Sequence, residues 1–363
     1  MKNLIYYCLI ASTFLIACNK KAPNLVVQTR EMDYVNKSES TLEGNLVHSN
    51  ILAPERMVVF DTLIIVLCNN PNNQMIVFST NTLDSIGGFC SKGRARNEFT
   101  RLYSSTEQIY YDNGHVIMPL IDYLDVVKEI DVTESILQHN TIVRNITDIK
   151  SFVDAYTVFI NNELNNRFIF ERNIYSDKVD MEDLTKVPVK AYLEKNGNRI
   201  KDIKIFRRLV DVSDNRGTIL PFNALVKKHP YRNIIVHESI NMDYLIFFDL
   251  DNDVTYAVHQ IGSKTFDDLF EYYGDDGYYF VGCATSTDYL FTLYYHGDYS
   301  LKENDLTKRC PELLVFNWNG DFINSFKMDR EIYGIGYDEL HKKLYCINNS
   351  EDLIMYDLSN LLP

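Results

Sequence analysis

Six short apolar runs, five of them leading through a polar turn into a second strand-like run, set the frame for what this chain can fold into. Ile76-Val77-Phe78 leads through Asn81 to Ser85-Ile86-Gly87, Val126-Val127 through Asp131 to Ser135-Ile136, and Phe168-Ile169-Phe170 towards Tyr175 and Asp177. Leu245-Ile246-Phe247-Phe248 leads through Asp249–Asp253 to Tyr256-Ala257-Val258, and Leu313-Leu314-Val315-Phe316 through Asn317–Asp321 to Phe322-Ile323. Leu353-Ile354-Met355-Tyr356 runs into Asp357, where the sequence nears its end. Apolar run, turn residues, apolar run is the pattern of a β-hairpin, and no long stretch carries a capped helical period. The runs start at residues 76, 126, 168, 245, 313 and 353, so the spacings are 50, 42, 77, 68 and 40. Four-stranded propeller blades repeat at ~40–50 residues, which three spacings satisfy and two satisfy with an inserted loop. The pattern predicts an all-β fold, a six-bladed β-propeller. The last hairpin leaves its blade short of a strand, so a strand from within residues 25–50 is expected to close the ring. A pair of β-sandwiches is the alternative and accounts for the repeat less well.

Apolar residues are 46% of the chain and charged residues 24%, which excludes disorder and allows a sizeable core. The 25 Tyr and 20 Phe favour strands. Thirty-six basic against 50 acidic side chains give a net charge of −14, the wrong sign for broad nucleic-acid binding.

Residues 1–18, MKNLIYYCLIASTFLIAC, have the charged start, apolar middle and small-residue end of a secretory signal and are too short for a span of ~20 residues. Leu15-Ile16-Ala17-Cys18 resembles the lipobox of bacterial lipoproteins. That resemblance implies cleavage before Cys18 and acylation of it, and two or more acyl chains anchor stably at ~0.8 kcal/mol per buried CH₂. The expected organisation is a signal peptide at 1–17, a lipid-anchored tether at 18–44 and a propeller at 45–363. Asn19-Lys20-Lys21-Ala22-Pro23 lacks an acidic run resembling a surface-export signal, so the expected location is the bacterial envelope, facing the periplasm, at the outer rather than the inner membrane.

Residues 312–358 resemble the C-terminal blades of the TolB-like six-bladed propeller lipoproteins of Bacteroides-type bacteria. The matching features are Val315-Phe316, the turn from Trp318 to Gly320, Tyr337-Asp338-Glu339 and Leu344-Tyr345-Cys346. Gly93-Arg94-Ala95-Arg96-Asn97-Glu98-Phe99 is similar to a Gly-x-Gly-Pro-x-Glu-Phe segment of that family, with Ala95 and Arg96 in place of the second Gly and the Pro. The resemblance implies the fold and little function, because a fold hosts many functions.

The local chemistry is sparse. The eight His residues form no close ligand pair, and the five Cys beyond Cys18 (Cys68, Cys90, Cys283, Cys310 and Cys346) form no CxxC. Their expected state is buried free thiols, with a Cys68–Cys90 bridge open to geometry. Asp249, Asp251 and Asp253 begin like a Ca²⁺ loop, but Val254 and Gln260 stand where its Gly and Glu belong. No catalytic residue, metal or cofactor is expected. Two surfaces rise above this background. Within 186–208 eight basic residues face only Glu194 and Asp202, and Lys201, Lys204, Arg207 and Arg208 are its densest part. Tyr272, Tyr273, Tyr278 and Tyr295 stand among carboxylates, as rings that stack on sugars do. These eight residues are the candidate partner-binding set. The expected function is a monomeric, non-catalytic envelope propeller that binds a protein or anionic glycan through one loop-rich face. A propeller hydrolase with its site at the central channel mouth and a structural scaffold are the rivals.

Overall fold

The computed structural model describes residues 27–35, 37–38, 40–103, 108–122, 126–148, 155–161, 166–171, 191–195, 198–203, 224–240, 242–263, 265, 277–300 and 310–362, those of 155–203 by backbone only. Runs such as Leu63-Ile64-Ile65-Val66-Leu67-Cys68 and Ile234-Ile235-Val236-His237-Glu238-Ser239 are too evenly apolar to have one wet face, and both are buried almost throughout. A sheet covered on both faces is what a propeller blade is.

Blade 1 holds β4 (Pro54–Phe60), β5 (Leu63–Cys68), β6 (Met75–Ser79) and β7 (Ser85–Phe89), paired in that order. Blade 2 holds β8 (Leu102–Tyr103) and β9 (Tyr110–Asp112), both on β10 (His115–Asp122), then β11 (Val126–Asp131) and β12 (Val143–Asp148). A four-stranded sheet follows, with β13 (Ala155–Asn161), β14 (Asn166–Glu171), β15 (Ala191–Lys195) and β16 (Asn198–Ile203). Blade 3 is β17 (Ala224–Lys228), β18 (Ile234–Ser239), β19 (Leu245–Asp249) and β20 (Val254–Gln260). Blade 4 is β21 (Gly277–Thr285), β22 (Tyr289–Ser300), β23 (Glu312–Asn317) and β24 (Phe322–Met328). Blade 5 is β25 (Gly334–Asp338), β26 (Lys343–Ile347) and β27 (Leu353–Asp357).

The all-β class holds, but the propeller has five blades and not the expected six. Four buried apolar cores join five sheets face to face. Ile65 and Val77 meet Met118 and Ile130 between blades 1 and 2. Ile64 and Phe78 meet Tyr345 and Leu353 between blades 1 and 5. Val315 meets Leu344 and Ile354 between blades 4 and 5, and Val236 and Phe247 meet Leu290 and Phe316 between blades 3 and 4. The sheet of β13–β16, described by its backbone, is not counted among the five; its strands pair with one another. It contains Phe168-Ile169-Phe170, the third of the six sequence hairpins. A hairpin signal counts paired strands, whereas a blade is defined by packing on its neighbours, and the spacing cannot distinguish the two.

The second hairpin also differs. Ser135-Ile136 lies in helix α1 (Val132–Gln138) and not in a strand. Asp131 caps the helix by accepting the Glu134 N–H, and His139 ends it in the left-handed region at φ 51°. Asp131-x-x-Glu134 is a capping signature that a strand count passes over.

The N-terminal segment runs along the outside of three blades in turn. β1 (Gln28–Met32) pairs parallel with β20, β2 (Thr41–Leu42) parallel with β24, and β3 (Asn45–His48) antiparallel with β27. β3 supplies the strand that the last hairpin lacked. Between β1 and β2, Tyr34 enters the core between blades 3 and 4 with no exposed surface. Its hydroxyl donates to Asp243 Oδ1, and Tyr294 donates to Asp243 Oδ2 at 3.1 Å. Among the described residues no helix is long and apolar enough to cross a membrane.

The segment similar to Gly-x-Gly-Pro-x-Glu-Phe is a buried buttress. Phe99 is fully buried, and the Lys128 ammonium lies 4.6 Å from its ring centre and 2.9 Å from the Asp122 carboxylate. Asp122 also accepts the N–H of Thr100 at 3.0 Å. Trp318 is likewise structural, as its place in a hairpin turn implied. Its Nε1–H donates to the Ser286 carbonyl at 3.0 Å. Cys68, Cys90, Cys283, Cys310 and Cys346 are free thiols, all buried but Cys310.

Candidate functional site: the central channel

The innermost strands β4, β9, β17, β21 and β25, one from each blade, border a cavity of about 380 Å³. Phe60, Tyr111, Lys228, Tyr231, Thr285 and Tyr337 form its outer wall. A smaller cavity of about 160 Å³ lies towards the opposite ends of four of these strands, against Glu55, Arg56 and Tyr333. Met57, Val226, Lys227, Cys283 and Ile335 border both, and so form the waist of one channel.

Pairing explains what reaches the waist. Lys227 is opposite Val236 and Leu225 is opposite Glu238, so Lys227, Val236 and Glu238 share the face of blade 3 that packs on blade 4. Lys227 is half-buried and Glu238 fully buried. Burial pulls the Lys227 ammonium down to about 8, opposed by Cys283 and helped by the positive charge of Arg56. Burial pushes the Glu238 carboxyl up to about 8, with Cys283, Thr292 and Lys227 around it. Among the described residues neither Glu238 oxygen meets full hydrogen-bond geometry, though Cys283 and Thr292 lie close enough to hold its carboxyl lower than burial alone would. Burial thus favours the acid form of the Glu238 carboxyl.

The mouth is built more firmly. His229 follows β17, and its Nδ1 accepts the N–H of Tyr231 at 2.9 Å and of Arg232 at 3.0 Å, while Nε2–H donates to the Thr287 carbonyl at 3.1 Å. That network fixes the neutral tautomer, and burial, reinforced by Arg232, pulls the ring down to about 4. Tyr111 donates to Asp61 at 2.6 Å and packs its ring 5.1 Å from that of Phe60. Tyr231 is 78% exposed at the rim.

The residues singled out from sequence lie elsewhere. Cys18, Lys204, Arg207, Arg208, Tyr272 and Tyr273 fall outside the described residues. Lys201 is in β16, opposite Leu193. Tyr278 is half-buried in β21, opposite Tyr299. Tyr295 is buried in β22, and its hydroxyl donates to the Ile332 carbonyl at 2.8 Å, tying blade 4 to the loop before blade 5. Among the described residues no group of three or more His, Cys, Asp or Glu is placed to hold a metal ion. Asp249 accepts the N–H groups of Asp251 and Asn252 within its own turn. Sequence reasoning missed Arg56 and Lys227 because they are 171 positions apart and share no motif. The available signal was a charge inside an apolar strand, Pro54-Glu55-Arg56-Met57-Val58 and Ala224-Leu225-Val226-Lys227.

No protein-family model matches the chain, and no curated protein does. Solved structures share its fold. One is a protein of Bacteroides fragilis described as exported, 11% identical with a TM-score of 0.53, covering 91% of this chain and 98% of its own. Another is a member of the DUF4221 family from Bacteroides vulgatus, 10% identical with a TM-score of 0.53, covering 88% of this chain and 98% of its own. At these identities the likeness is one of fold.

Proposed function

We propose that the chain is a lipid-anchored bacterial envelope protein whose propeller binds a protein or glycan partner at the channel mouth without transforming it. The observation that carries this reading is the cavity of about 380 Å³ where five inner strands converge, within the ~300–1,000 Å³ range of small-molecule sites. Its rim combines the exposed rings of Tyr111 and Tyr231 with Lys228, a combination that stacks on a sugar or side chain and orients it. The signal-like N-terminus and the fold shared with a protein described as exported support the location. The basic insertion at Lys201, Lys204, Arg207 and Arg208 serves in this reading as an outlying contact that steers an anionic partner. Capture from envelope extracts tests both surfaces. Tyr231→Ala with Tyr111→Ala is expected to abolish capture, and replacing the four basic residues by Ser is expected to weaken it most at low salt. Capture that survives both variants unchanged refutes the binding face.

A further inference from the structure

The rim of the channel mouth holds apolar side chains in the open. β17, β21 and β25 all run from the inner cavity to the outer one, since Leu225, Val281 and Tyr333 border the first and Lys228, Thr285 and Tyr337 the second. The turns that follow these strands therefore stand at the mouth, as does the turn after β9, whose Tyr111 and Asp112 border the outer cavity. Tyr111 from blade 2 is 53% exposed, Tyr231 from blade 3 is 78% exposed, and Leu340, just past β25 in blade 5, is 70% exposed. Thr287 of blade 4 ties two of these turns together: its hydroxyl donates to Glu339 at 3.1 Å, and its carbonyl accepts from His229 at 3.1 Å. Single exposed apolar residues are ordinary, but three from separate blades around one opening mark a contact surface for protein or membrane. The start of the chain points to membrane. β17 to β20 are antiparallel in series, so β20 begins at the mouth, and β1 begins beside it with Gln28 opposite Tyr256. The nine residues between Cys18 and Gln28 span at most ~33 Å fully extended.

We propose that the mouth face is a membrane-docking surface: Tyr111, Tyr231 and Leu340 seat in the headgroup layer of the bilayer that holds the anchor, and the outer cavity opens onto that layer. This rests on the lipid-anchored reading above and narrows the partner to a molecule presented at the surface of the same membrane. Tyrosine suits this depth, with a ring that leaves water and a hydroxyl that stays in it. The anchor makes weak contacts count, because a tether this short holds the rim at a high effective concentration over the lipid. The charges exposed on the same turns are of both signs, Asp61, Asp112, Asp288 and Glu339 with Arg232 and Lys342. Such a rim, with a small excess of carboxylates, fits a zwitterionic headgroup layer and is repelled by a strongly anionic one. Leu52 before β4 and Ile261 after β20 are exposed at the opposite ends of the blades and face away from the bilayer in this pose.

Contact quenching of the acylated mature chain on phosphatidylcholine vesicles tests this. A dye sits on Leu340→Cys or on Ile261→Cys, in a chain whose exposed Cys310 is first replaced by Ser. It is read against lipids carrying a nitroxide at the headgroup, which quench on contact, and against iodide in the water. The dye at 340 is expected to be quenched by the lipid nitroxide and shielded from iodide, and the dye at 261 the reverse. Tyr231→Asp, at a side chain that stands in solvent, is expected to lose the lipid quenching at 340 with an unchanged melting temperature, while Tyr231→Trp keeps it. The same quenching is expected to be weaker on vesicles rich in phosphatidylglycerol. Quenching at 340 by iodide and not by lipid, or lipid quenching that survives Tyr231→Asp undiminished, overturns the docking surface. Mass spectrometry of the N-terminus separates this from failure of the reading it rests on. A mature chain without acyl groups sinks the anchor and the docking together; an acylated chain without lipid contact sinks the docking alone and leaves the envelope capture to decide the binding face.

Discussion

Replacing Tyr34 by Phe removes one hydroxyl from the point where the N-terminal segment enters the core. Tyr34 has no exposed surface and meets Tyr294 and Phe316 edge-on at 5.8 and 5.4 Å. Phe keeps those ring contacts, so the change isolates the hydrogen bond to Asp243. Burial pushes the Asp243 carboxyl up to about 6, while hydrogen bonds from Tyr34 and Tyr294 hold it lower than burial alone would. The folded pKa is raised above the ordinary aspartate value of about 3.9, so the stability linked to this group is fully present below that value and is lost as pH rises through about 6. That rise corresponds to about 3 kcal/mol lost by pH 8. In Tyr34→Phe the acceptor keeps one tyrosine donor, and its pKa rises further. The variant is expected to be less stable by about 1 kcal/mol at pH 5, where a neutral hydrogen bond is lost, and by about 1.5–3 kcal/mol at pH 8, where a charged one is lost. Urea unfolding at both pH values, followed by tryptophan fluorescence of Trp318, gives the two differences. A destabilisation that is equal at pH 5 and pH 8, or absent at both, refutes the coupling of Tyr34 to Asp243.

Three further outcomes are expected. Lys128→Met strands the buried Asp122 charge and costs roughly 3–5 kcal/mol in urea unfolding, part of which the added change Asp122→Asn restores. Gly320→Ala places a Cβ 2.9 Å from Arg30 Nη2 at a residue of φ +74°, and is expected to lower stability by about 1–2 kcal/mol in a thermal melt. Cys18→Ala is expected to leave an uncleaved or soluble protein; wild type that fractionates as soluble with residues 1–17 removed would refute the anchor.

Strand content was legible in the sequence because it is local: an apolar run, a turn of Asn, Asp and Gly, a second apolar run. Thus β19–β20 and β23–β24 fall where Leu245–Val258 and Leu313–Ile323 put them. The missing strand of the last blade was also legible, since a sheet edge demands a partner, and β3 fills it. What was not legible is what depends on packing. Phe168-Ile169-Phe170 announces a paired strand and not whether its sheet joins the ring. β1 and β2 were missed because Gln28–Met32 and Thr41–Leu42 carry no apolar alternation; the edges of β20 and β24 hold them through backbone hydrogen bonds. The channel site was hidden for a related reason. Arg56, Lys227 and Glu238 look like ordinary charges along the chain, and only the closure of blades 1, 3 and 4 on one axis brings them together.

In the proposed lipid-anchored form, the path of β1 bears on which way the channel faces. The inner strand β17 runs towards the outer cavity, since Lys228 and Tyr231 at its end border that cavity and Leu225 near its start borders the inner one. β18 returns, β19 advances and β20 returns again, all antiparallel. β1 is parallel to β20, so it starts on the mouth side, with Gln28 opposite Tyr256, and ends on the far side, with Met32 opposite Gln260. An anchor at Cys18, as proposed, would therefore reach the propeller on the mouth side, through nine residues that span at most ~33 Å fully extended. The mouth is expected to lie nearer the membrane than the opposite face, which suits a ligand presented at the envelope surface. Energy transfer measures this. A dye on Tyr231→Cys or on Leu52→Cys, before β4 on the far side, is read against an acceptor in the headgroups of vesicles carrying the lipidated protein. Cys310, the exposed thiol, is first replaced by Ser. Stronger transfer from position 231 is expected; equal transfer, or stronger transfer from position 52, means that the tether folds back past the rim and that the mouth looks away from the bilayer.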